Sequence, residues 1–199
     1  MARSNLNGLI HAPNRIRIIA GRYRRTPIAV ADRAQLRPTP DRVRETLFNW
    51  LSHLHPDLAG SRGLDLFAGT GALGFELASR GARQVLLVER DAALVQRLTA
   101  LRDRLGAHEV QVIRGDAIEV ARRLPTASFD LIFIDPPYGE PLLMPALSAA
   151  RSLLAAGGSI YAEAASGLKE VDLQALGLQS IRSGRAGRVH FHLLGLQHS

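Results

Sequence analysis

The chain has 199 residues, a hydrophobic fraction of 46% and a net charge of +7, which is enough apolar material for one folded domain with a small addition. It contains no cysteine, which excludes a disulfide framework, thiolate metal sites and cysteine nucleophiles. Neither a secretory segment nor a run of ~18 apolar residues is visible, so we expect a cytoplasmic protein without a membrane partner.

The positive charge is concentrated near the start of the chain. Residues 1–45 carry ten arginines and three acidic residues, an excess that equals the net charge of +7. This asymmetry predicts a basic arm that meets a polyanion, followed by a neutral domain. We expect residues 1–35 to form the arm and a β-hairpin, and residues 36–199 to form the main domain.

A β-hairpin is the first predicted element. Arg and Ile alternate from residue 15, Gly21 interrupts the pattern, and a second strand runs from Thr26 to Val30. The tip would offer arginines to phosphates and an aromatic ring to a base, unless it is simply a solvated basic turn. The residues of this tip are Arg22, Tyr23, Arg24 and Arg25.

A helix follows an extended approach. Thr39 is placed to cap it, Asp41 favours its dipole, and apolar residues then recur at helical spacing as far as Leu54. Arg37, just ahead of the cap, could serve RNA or a cofactor, or could be a solvated charge.

From Gly63 onward, strands and helices alternate. We expect strands at 63–67, 84–89, 109–113, 129–134 and 159–163, with helices at 72–80, 91–105, 116–124 and 141–155, the last ended by Gly157 and Gly158. This alternation predicts a parallel sheet covered by helices. The final strands, 178–182 and 188–194, have no helix between them and should form an antiparallel hairpin. The predicted fold is therefore α/β and Rossmann-like, with a seven-stranded, mostly parallel sheet.

The first strand of this region leads into a glycine loop, with glycines at 69, 71 and 74. This spacing matches the dinucleotide fingerprint, and Glu89 ends the next strand, where an acid can hold ribose hydroxyls. A nicotinamide enzyme is therefore an alternative. Asp65 argues against it, because a carboxylate there suits a cationic amino-acid group better than a pyrophosphate. S-adenosyl-L-methionine meets these constraints, and Asp116 could accept from its adenine amine or merely cap a helix.

The sequence Asp135-Pro136-Pro137-Tyr138 ends the strand at 129–134, because prolines cannot donate to a ladder. It forms a stiff loop at the carboxyl end of a strand, where α/β sheets bind ligands. Asp135 and the carbonyl group of Pro136 could accept both hydrogens of an amine and free its lone pair, while Tyr138 stacks on the ring. The alternative is a turn that only ends a core strand.

Together, Asp65-x-Phe67-x-Gly69-x-Gly71, Glu89, Asp116 and the Asp-Pro-Pro-Tyr sequence resemble class I adenosylmethionine-dependent methyltransferases that act on exocyclic amines. The longer patterns from Arg17 to Gly21 and from Leu36 to Leu51 resemble the RsmD family, which methylates guanine N2 in bacterial small-subunit rRNA. The resemblance implies S-adenosyl-L-methionine as cofactor, 16S rRNA within a small ribosomal subunit as substrate, and a monomer. With the residue arguments above, it gives a cofactor site of Asp65, Phe67, Ala68, Gly69, Gly71, Glu89, Asp116, Ala117 and Asp135, and substrate contacts from Arg17, Arg22, Tyr23, Arg24, Arg25, Arg37 and Thr39.

Two further functions are compatible with these patterns. The Asp-Pro-Pro-Tyr loop also suits methylation of adenine N6 in DNA, although no target-reading domain is recognisable. A non-catalytic assembly factor that binds rRNA through residues 1–45 is the other. No metal is expected, because His190 and His192 lack a third ligand.

Overall fold

The computed structural model describes residues 16–29, 41–137 and 140–197. Its strands are β1 (Ile16–Arg17), β2 (Pro27–Ile28), β3 (Arg62–Asp65), β4 (Gln84–Glu89), β5 (Val110–Arg114), β6 (Phe129–Ile134), β7 (Leu154–Ala164), β8 (Leu178–Ala186) and β9 (Val189–Leu196). Its helices are α1 (Asp41–Leu54), α2 (Ala72–Ser79), α3 (Ala92–Leu105), α4 (Ala117–Ala121), α5 (Leu143–Leu153) and α6 (Glu170–Ala175).

Seven of these strands form one sheet in the order β5-β4-β3-β6-β7-β9-β8. The five strands from β5 to β7 are parallel, and β9 runs antiparallel to both of its neighbours. The predicted seven-stranded sheet with an antiparallel end is confirmed. Because the chain moves outward from β3 to β5 and then returns to β6 on the other side of β3, the strand order reverses at β3. Such a reversal opens a crevice at the carboxyl ends of the strands.

The central strands β4 and β6 are buried on both faces for most of their length, which explains their continuous apolar sequences. Along β4, Val85 and Leu87 point into a core shared with α1, α2 and α3. Leu86 and Val88 point the other way, into a core shared with α4, α5 and α6. The two layers hold β3 and β6 at the centre, so the strand ends that carry the predicted site residues are rigidly placed.

The predicted end of the helix at 141–155 is wrong. Helix α5 stops at Leu153, and β7 begins at once with Leu154, so Gly157 and Gly158 lie inside the strand. Gly158 is needed there for space, because a Cβ atom would lie 2.8 Å from the backbone oxygen of Asp130 on β6. The short helix α6 was not predicted, and β8 and β9 extend beyond the predicted ranges.

The predicted N-terminal hairpin is present as β1 and β2, which pair antiparallel through two residues each. It is fastened to α2, because the Glu76 carboxylate accepts from the backbone N–H groups of Ile19 (2.6 Å) and Ala20 (3.1 Å). The Ser79 hydroxyl accepts from the N–H of Tyr23 at 2.9 Å. Ile18 is fully buried in the same core as α2. The predicted domain boundary at 35/36 lies outside the described residues and stays a prediction.

Among the described helices, none is long and apolar enough to cross a membrane.

Candidate active site

The carboxyl ends of β3, β4, β5 and β6 meet at one edge of the sheet, because all four strands are parallel. Asp65 pairs in register with Leu87 on one side and with Phe133 on the other. The loops that follow these strands therefore begin within a few ångströms of one another. Every predicted cofactor residue lies in or next to one of these loops.

The glycine loop is fixed by backbone hydrogen bonds to both neighbouring strands. The N–H of Leu66 donates to Phe133 O on β6 (3.1 Å), and the N–H of Ala68 donates to Val88 O on β4 (2.9 Å). Gly71 has a φ of +81°, and a Cβ atom there would lie 2.6 Å from Leu98 Cδ2. Glycine is thus required there by the backbone conformation and by the close packing of Leu98 and Phe75.

Glu89 joins the glycine loop to the start of α3. One carboxylate oxygen accepts from the N–H of Gly69 at 2.8 Å, and the other accepts from the N–H of Asp91 at 2.9 Å. The side chain is half-buried at the end of β4. Its position beside the loop is the one in which an acid can meet ribose hydroxyls.

Asp65 is the buried acid of the site, with 2% of its surface exposed. Burial is the main cause that raises its pKa to about 7, and the nearby negative charge of Glu89 raises the pKa further. Hydrogen bonds from the backbone N–H groups of Phe67 and Gly74 act in the opposite direction and lower the pKa. Within the described part of the chain, its Oδ1 atom is buried without a hydrogen-bond partner. A buried acceptor of this kind is satisfied by a cationic donor and opposed by a phosphate.

Asp116 follows β5 and caps α4. Its Oδ1 atom accepts from the N–H groups of Ile118 (3.0 Å) and Glu119 (3.1 Å). The capping interpretation of Asp116 is therefore confirmed, and the role toward an adenine amine stays a prediction. Ala117, the first residue of α4, is buried.

Asp135, Pro136 and Pro137 directly follow β6 and are all half-buried. The backbone oxygen of Pro137 accepts from the N–H of Glu140 at 3.4 Å. Asp135 is two residues beyond Phe133, which pairs with Asp65, so the predicted amine acceptor lies beside the glycine loop. Tyr138 lies outside the described residues.

An ion pair that sequence reasoning missed connects two of these loops. Arg90 follows Glu89, and its guanidinium donates to both carboxylate oxygens of Glu140, at 2.7 and 3.2 Å. Since β4 and β6 flank β3, the pair links the loops on the two sides of β3. The pKa of Arg90 is raised mainly by Glu140, with smaller contributions from Glu89 and Asp116. No sequence signal pairs two surface charges that are fifty positions apart.

The predicted hairpin tip lies at the opposite edge of the sheet. Arg22 Nη2 donates to Glu109 Oε1 at 2.5 Å, and the Tyr23 hydroxyl donates to the same oxygen at 3.1 Å. Glu109 precedes β5, whereas Asp116 follows it, so this contact is at the amino edge.

The predicted stacking of Tyr23 on a base does not fit this placement. The residue is 8% exposed, and burial is the main cause of the raised pKa of its hydroxyl group. Arg22 lies over the ring at 4.6 Å from its centroid. Of the other predicted substrate residues, Arg17, Arg24 and Arg25 are exposed, while Arg37 and Thr39 lie outside the described residues.

Within the described residues, no group of three or more acidic or histidine side chains is arranged to hold a metal ion. His192 is 6% exposed and accepts from the N–H of Leu168 at 3.4 Å. Burial, followed by the neighbouring His190, lowers its pKa. These contacts make His192 a structural side chain of the β8–β9 hairpin.

The sheet order, the glycine loop after β3 and the acidic strand ends define a class I methyltransferase fold, which is also found in solved structures of similar architecture. One of them, yhhF from Escherichia coli, is 32% identical with a TM-score of 0.77, over 93% of this chain and 99% of that chain. The chain belongs to the family described as Conserved hypothetical protein 95, whose model matches residues 16–195.

Several curated relatives carry the name "Ribosomal RNA small subunit methyltransferase D", among them proteins from Escherichia coli and Haemophilus influenzae. The protein from Escherichia coli (strain K12) is 42% identical over 128 residues, which are 64% of this chain and 63% of the relative. The protein from Haemophilus influenzae is 38% identical over 141 residues, which are 69% of this chain and 72% of the relative. The predicted membership of the RsmD family is confirmed, although the first match spans less than two thirds of its relative's length.

Proposed function

We propose that the protein transfers a methyl group from S-adenosyl-L-methionine to the exocyclic N2 amine of a guanine in small-subunit rRNA. The observation that carries this proposal is the juxtaposition at β3 and β6. A buried carboxylate at a glycine loop adjoins a loop of Asp135, Pro136 and Pro137. The names of the relatives support rRNA as the substrate.

The residues present fit the cofactor in three places. The Oδ1 atom of Asp65 offers a buried acceptor for an ammonium group. The backbone at Gly69 and Gly71, together with Phe67 and Ala68, lines the loop that approaches it. Glu89 stands where ribose hydroxyls can be bound, and Asp116 with Ala117 stands beyond it, at the end of β5, for the adenine ring.

The bound cofactor would supply an electrophilic methyl group, so the protein needs mainly to position the amine. Asp135 and the Pro136 carbonyl group accept the two amine hydrogens, which withdraws the nitrogen lone pair from the ring and aims it outward. The proton leaves after transfer, so no general base with a shifted pKa is required. Tyr138 stacks on the guanine that is turned out of its helix.

The proposal that rRNA is the substrate is based on the positive charge of the N-terminal segment and on membership of the RsmD family. The arginines at 17, 22, 24 and 25, with Arg37 and Thr39, remain proposed contacts to rRNA. The proposed partner is the 16S rRNA within a small ribosomal subunit, and the protein acts as a monomer. Since the tip at Arg22 lies at the amino edge, its contacts would fall on RNA away from the reacting amine.

Transfer of a labelled methyl group tests this function. Unmodified small ribosomal subunits, protein-free rRNA and DNA are offered in parallel, and the products are digested to nucleosides. We expect label in N2-methylguanosine from subunits. Label in N6-methyladenine from DNA would support methyl transfer to an exocyclic amine but would contradict rRNA as the substrate.

The Asp135→Asn variant tests the role of the loop. We expect transfer to fall by a factor on the order of 10² or more, because a neutral amide oxygen is a weaker acceptor than a carboxylate and the amide nitrogen cannot accept at all. Binding of S-adenosyl-L-methionine, measured by calorimetry, should persist. The exposed Asp172→Asn variant serves as control. Near wild-type turnover by Asp135→Asn would exclude the assigned role.

A non-catalytic assembly factor is the second candidate, favoured by the basic segment of residues 1–45. Calorimetric titration with S-adenosyl-L-methionine separates the two, because a pure binding module should give no heat. A nicotinamide cofactor is disfavoured by the buried Asp65, and an absorbance assay for its reduction would reveal it.

A further inference from the structure

The tip of the β8–β9 hairpin, residues 182–190, lies at the same edge of the sheet as the candidate active site. Strand β7 ends at Ala164, which pairs with His190, and His190 pairs with Arg185. Ile134, the residue before Asp135, pairs with Ala162. The tip and Asp135 are therefore at nearly the same height along the strands.

The lateral separation follows from the strand order. Strand β8 is three positions from β6, since β7 and β9 lie between them. Strands are spaced ~4.8 Å apart, which places Arg185 about 14 Å to the side of Asp135. Successive phosphates of a stacked strand advance by ~3.4 Å, so this distance corresponds to about four nucleotides.

The tip is basic and exposed. Its sequence contains Arg182, Arg185, Arg188 and His190 and no acidic residue, and all three arginines are exposed. Arg185 Nε donates to the backbone oxygen of Gly187 at 2.9 Å, which orders the turn and leaves the outer nitrogens of the guanidinium for other acceptors. The nearest acids along the chain, Glu170 and Asp172, are on α6.

The N-terminal hairpin presents a contrast. Its tip lies at the amino edge, and Arg22 is already paired with Glu109. Among the described residues, Arg185 and Arg188 have no acidic partner within salt-bridge distance. The β8–β9 tip thus provides positive charge that has no acidic partner and that lies at nearly the same height along the strands as Asp135.

We propose that the β8–β9 tip binds phosphates of the RNA strand that flanks the target nucleotide, about four nucleotides away, through Arg185 and Arg188. This inference rests on the proposed function. Arginine forks suit phosphate oxygens, and such contacts fix the position of a strand without reading its sequence. The tip would hold the flanking strand while the loop at Asp135 receives the base.

The test compares the Arg185→Ala, Arg188→Ala double variant with the wild type in methyl transfer to unmodified small ribosomal subunits. We expect KM for subunits to rise roughly tenfold at low salt, and the dependence of log KM on log salt to weaken by about 1.5. The affinity for S-adenosyl-L-methionine and kcat should stay the same. The Arg122→Ala, Arg123→Ala double variant removes the same charge from the end of α4 and should behave as wild type.

The outcomes separate this inference from the proposed function. Wild-type KM and salt dependence in the tip variant, with normal transfer, would overturn the inference and leave the function standing. Equal binding of variant and wild type to protein-free rRNA, with a loss confined to intact subunits, would also overturn it and indicate a protein contact. Absence of transfer by the wild-type protein despite cofactor binding would refute the function itself.

Discussion

Asp65 is the residue whose chemistry is most constrained by the fold. Its pKa of about 7 means that it is largely protonated below pH 7 in the cofactor-free protein. A bound ammonium group favours the ionised form, so binding should release a proton. We expect the affinity for S-adenosyl-L-methionine to rise as pH increases from about 5.5 to 7.5. Calorimetry in buffers of different ionisation enthalpy would measure the released proton.

The Asp65→Asn variant is the control for this prediction. It should bind the cofactor more weakly, and its affinity should not depend on pH.

The Asp65→Asn variant should also differ from the wild type in how stability depends on pH. Because the folded pKa is raised from 3.8, the folded state of the wild type binds more protons between pH 3.8 and about 7, and its stability falls as pH rises through that window. This contribution should be absent in Asp65→Asn, and its survival would contradict the assignment.

The grouping of the candidate site residues at one edge of the sheet could be predicted from sequence, because parallel strands bring their carboxyl ends together. Asp65, Glu89 and Asp135 were located in this way, and the fold places them at one edge. Tyr23 could not be interpreted correctly, since its neighbours Arg22 and Arg24 are exposed whereas its own ring is buried. Local composition carries no information about a partner such as Glu109, which lies 86 positions away.

At the scale of elements, α2 connects the glycine loop to the N-terminal hairpin. Glu76, fully buried on α2, accepts from Ile19, Ala20 and Arg80, and lies 3.9 Å from the buried Arg44. We expect Glu76→Gln to lower the free energy of unfolding by about 3–5 kcal/mol, because buried donors lose their anionic partner. Urea denaturation would measure this loss. Glu170→Gln, at an exposed position of α6, should change stability by less than about 0.5 kcal/mol.

The Arg90–Glu140 pair links the loops after β4 and β6. Both side chains are largely exposed, at 56% and 41%, so the pair should contribute little to the free energy of unfolding. Its position next to Glu89 instead predicts an effect on cofactor binding. We expect Arg90→Ala and Glu140→Ala each to weaken the affinity for S-adenosyl-L-methionine several-fold.

A double-mutant cycle on that affinity would establish the coupling. The double variant should lose no more than either single variant, because each already breaks the same contact. The Glu119–Arg122 pair on α4 is matched in length, at 2.8 Å, and in exposure, at 55% and 65%. Its removal should leave cofactor affinity unchanged. Additive losses in the Arg90–Glu140 cycle would show that the pair does not act as a unit.

Elements with strong periodicity were predicted well, and those defined by tertiary contacts were not. The strands at 84–89 and 129–134 have the predicted bounds, because continuous apolar runs of that length suit a buried parallel strand. In the sequence, the glycine pair at 157–158 is typical of the end of a helix. In the fold, however, β7 already begins at Leu154, which pairs with Phe129, so the glycine pair lies inside the strand.

At the scale of the whole molecule, the N-terminal hairpin is built into the main core. Ile16, Ile18 and Ile28 are buried in the cluster that also contains Phe75 on α2 and Phe191 on β9. The predicted division into residues 1–35 and 36–199 was based on charge, which describes only the exposed face of the hairpin, and it stays a prediction. The apolar face of the hairpin can also be recognised in the sequence, since the isoleucines alternate with arginines.

This arrangement predicts that the hairpin and the sheet unfold together. Ile18→Ala should lower the free energy of unfolding by about 2–4 kcal/mol, because Ile18 is fully buried. Trp50 is the single tryptophan of the chain, and its ring centroid lies 5.5 Å from that of Phe191 on β9, in the same core cluster as the hairpin isoleucines. Its fluorescence and the far-ultraviolet circular dichroism should shift together in one transition. A hairpin that unfolds independently would leave the Trp50 midpoint unchanged, whereas the exposed Val171→Ala variant should leave both signals as in the wild type.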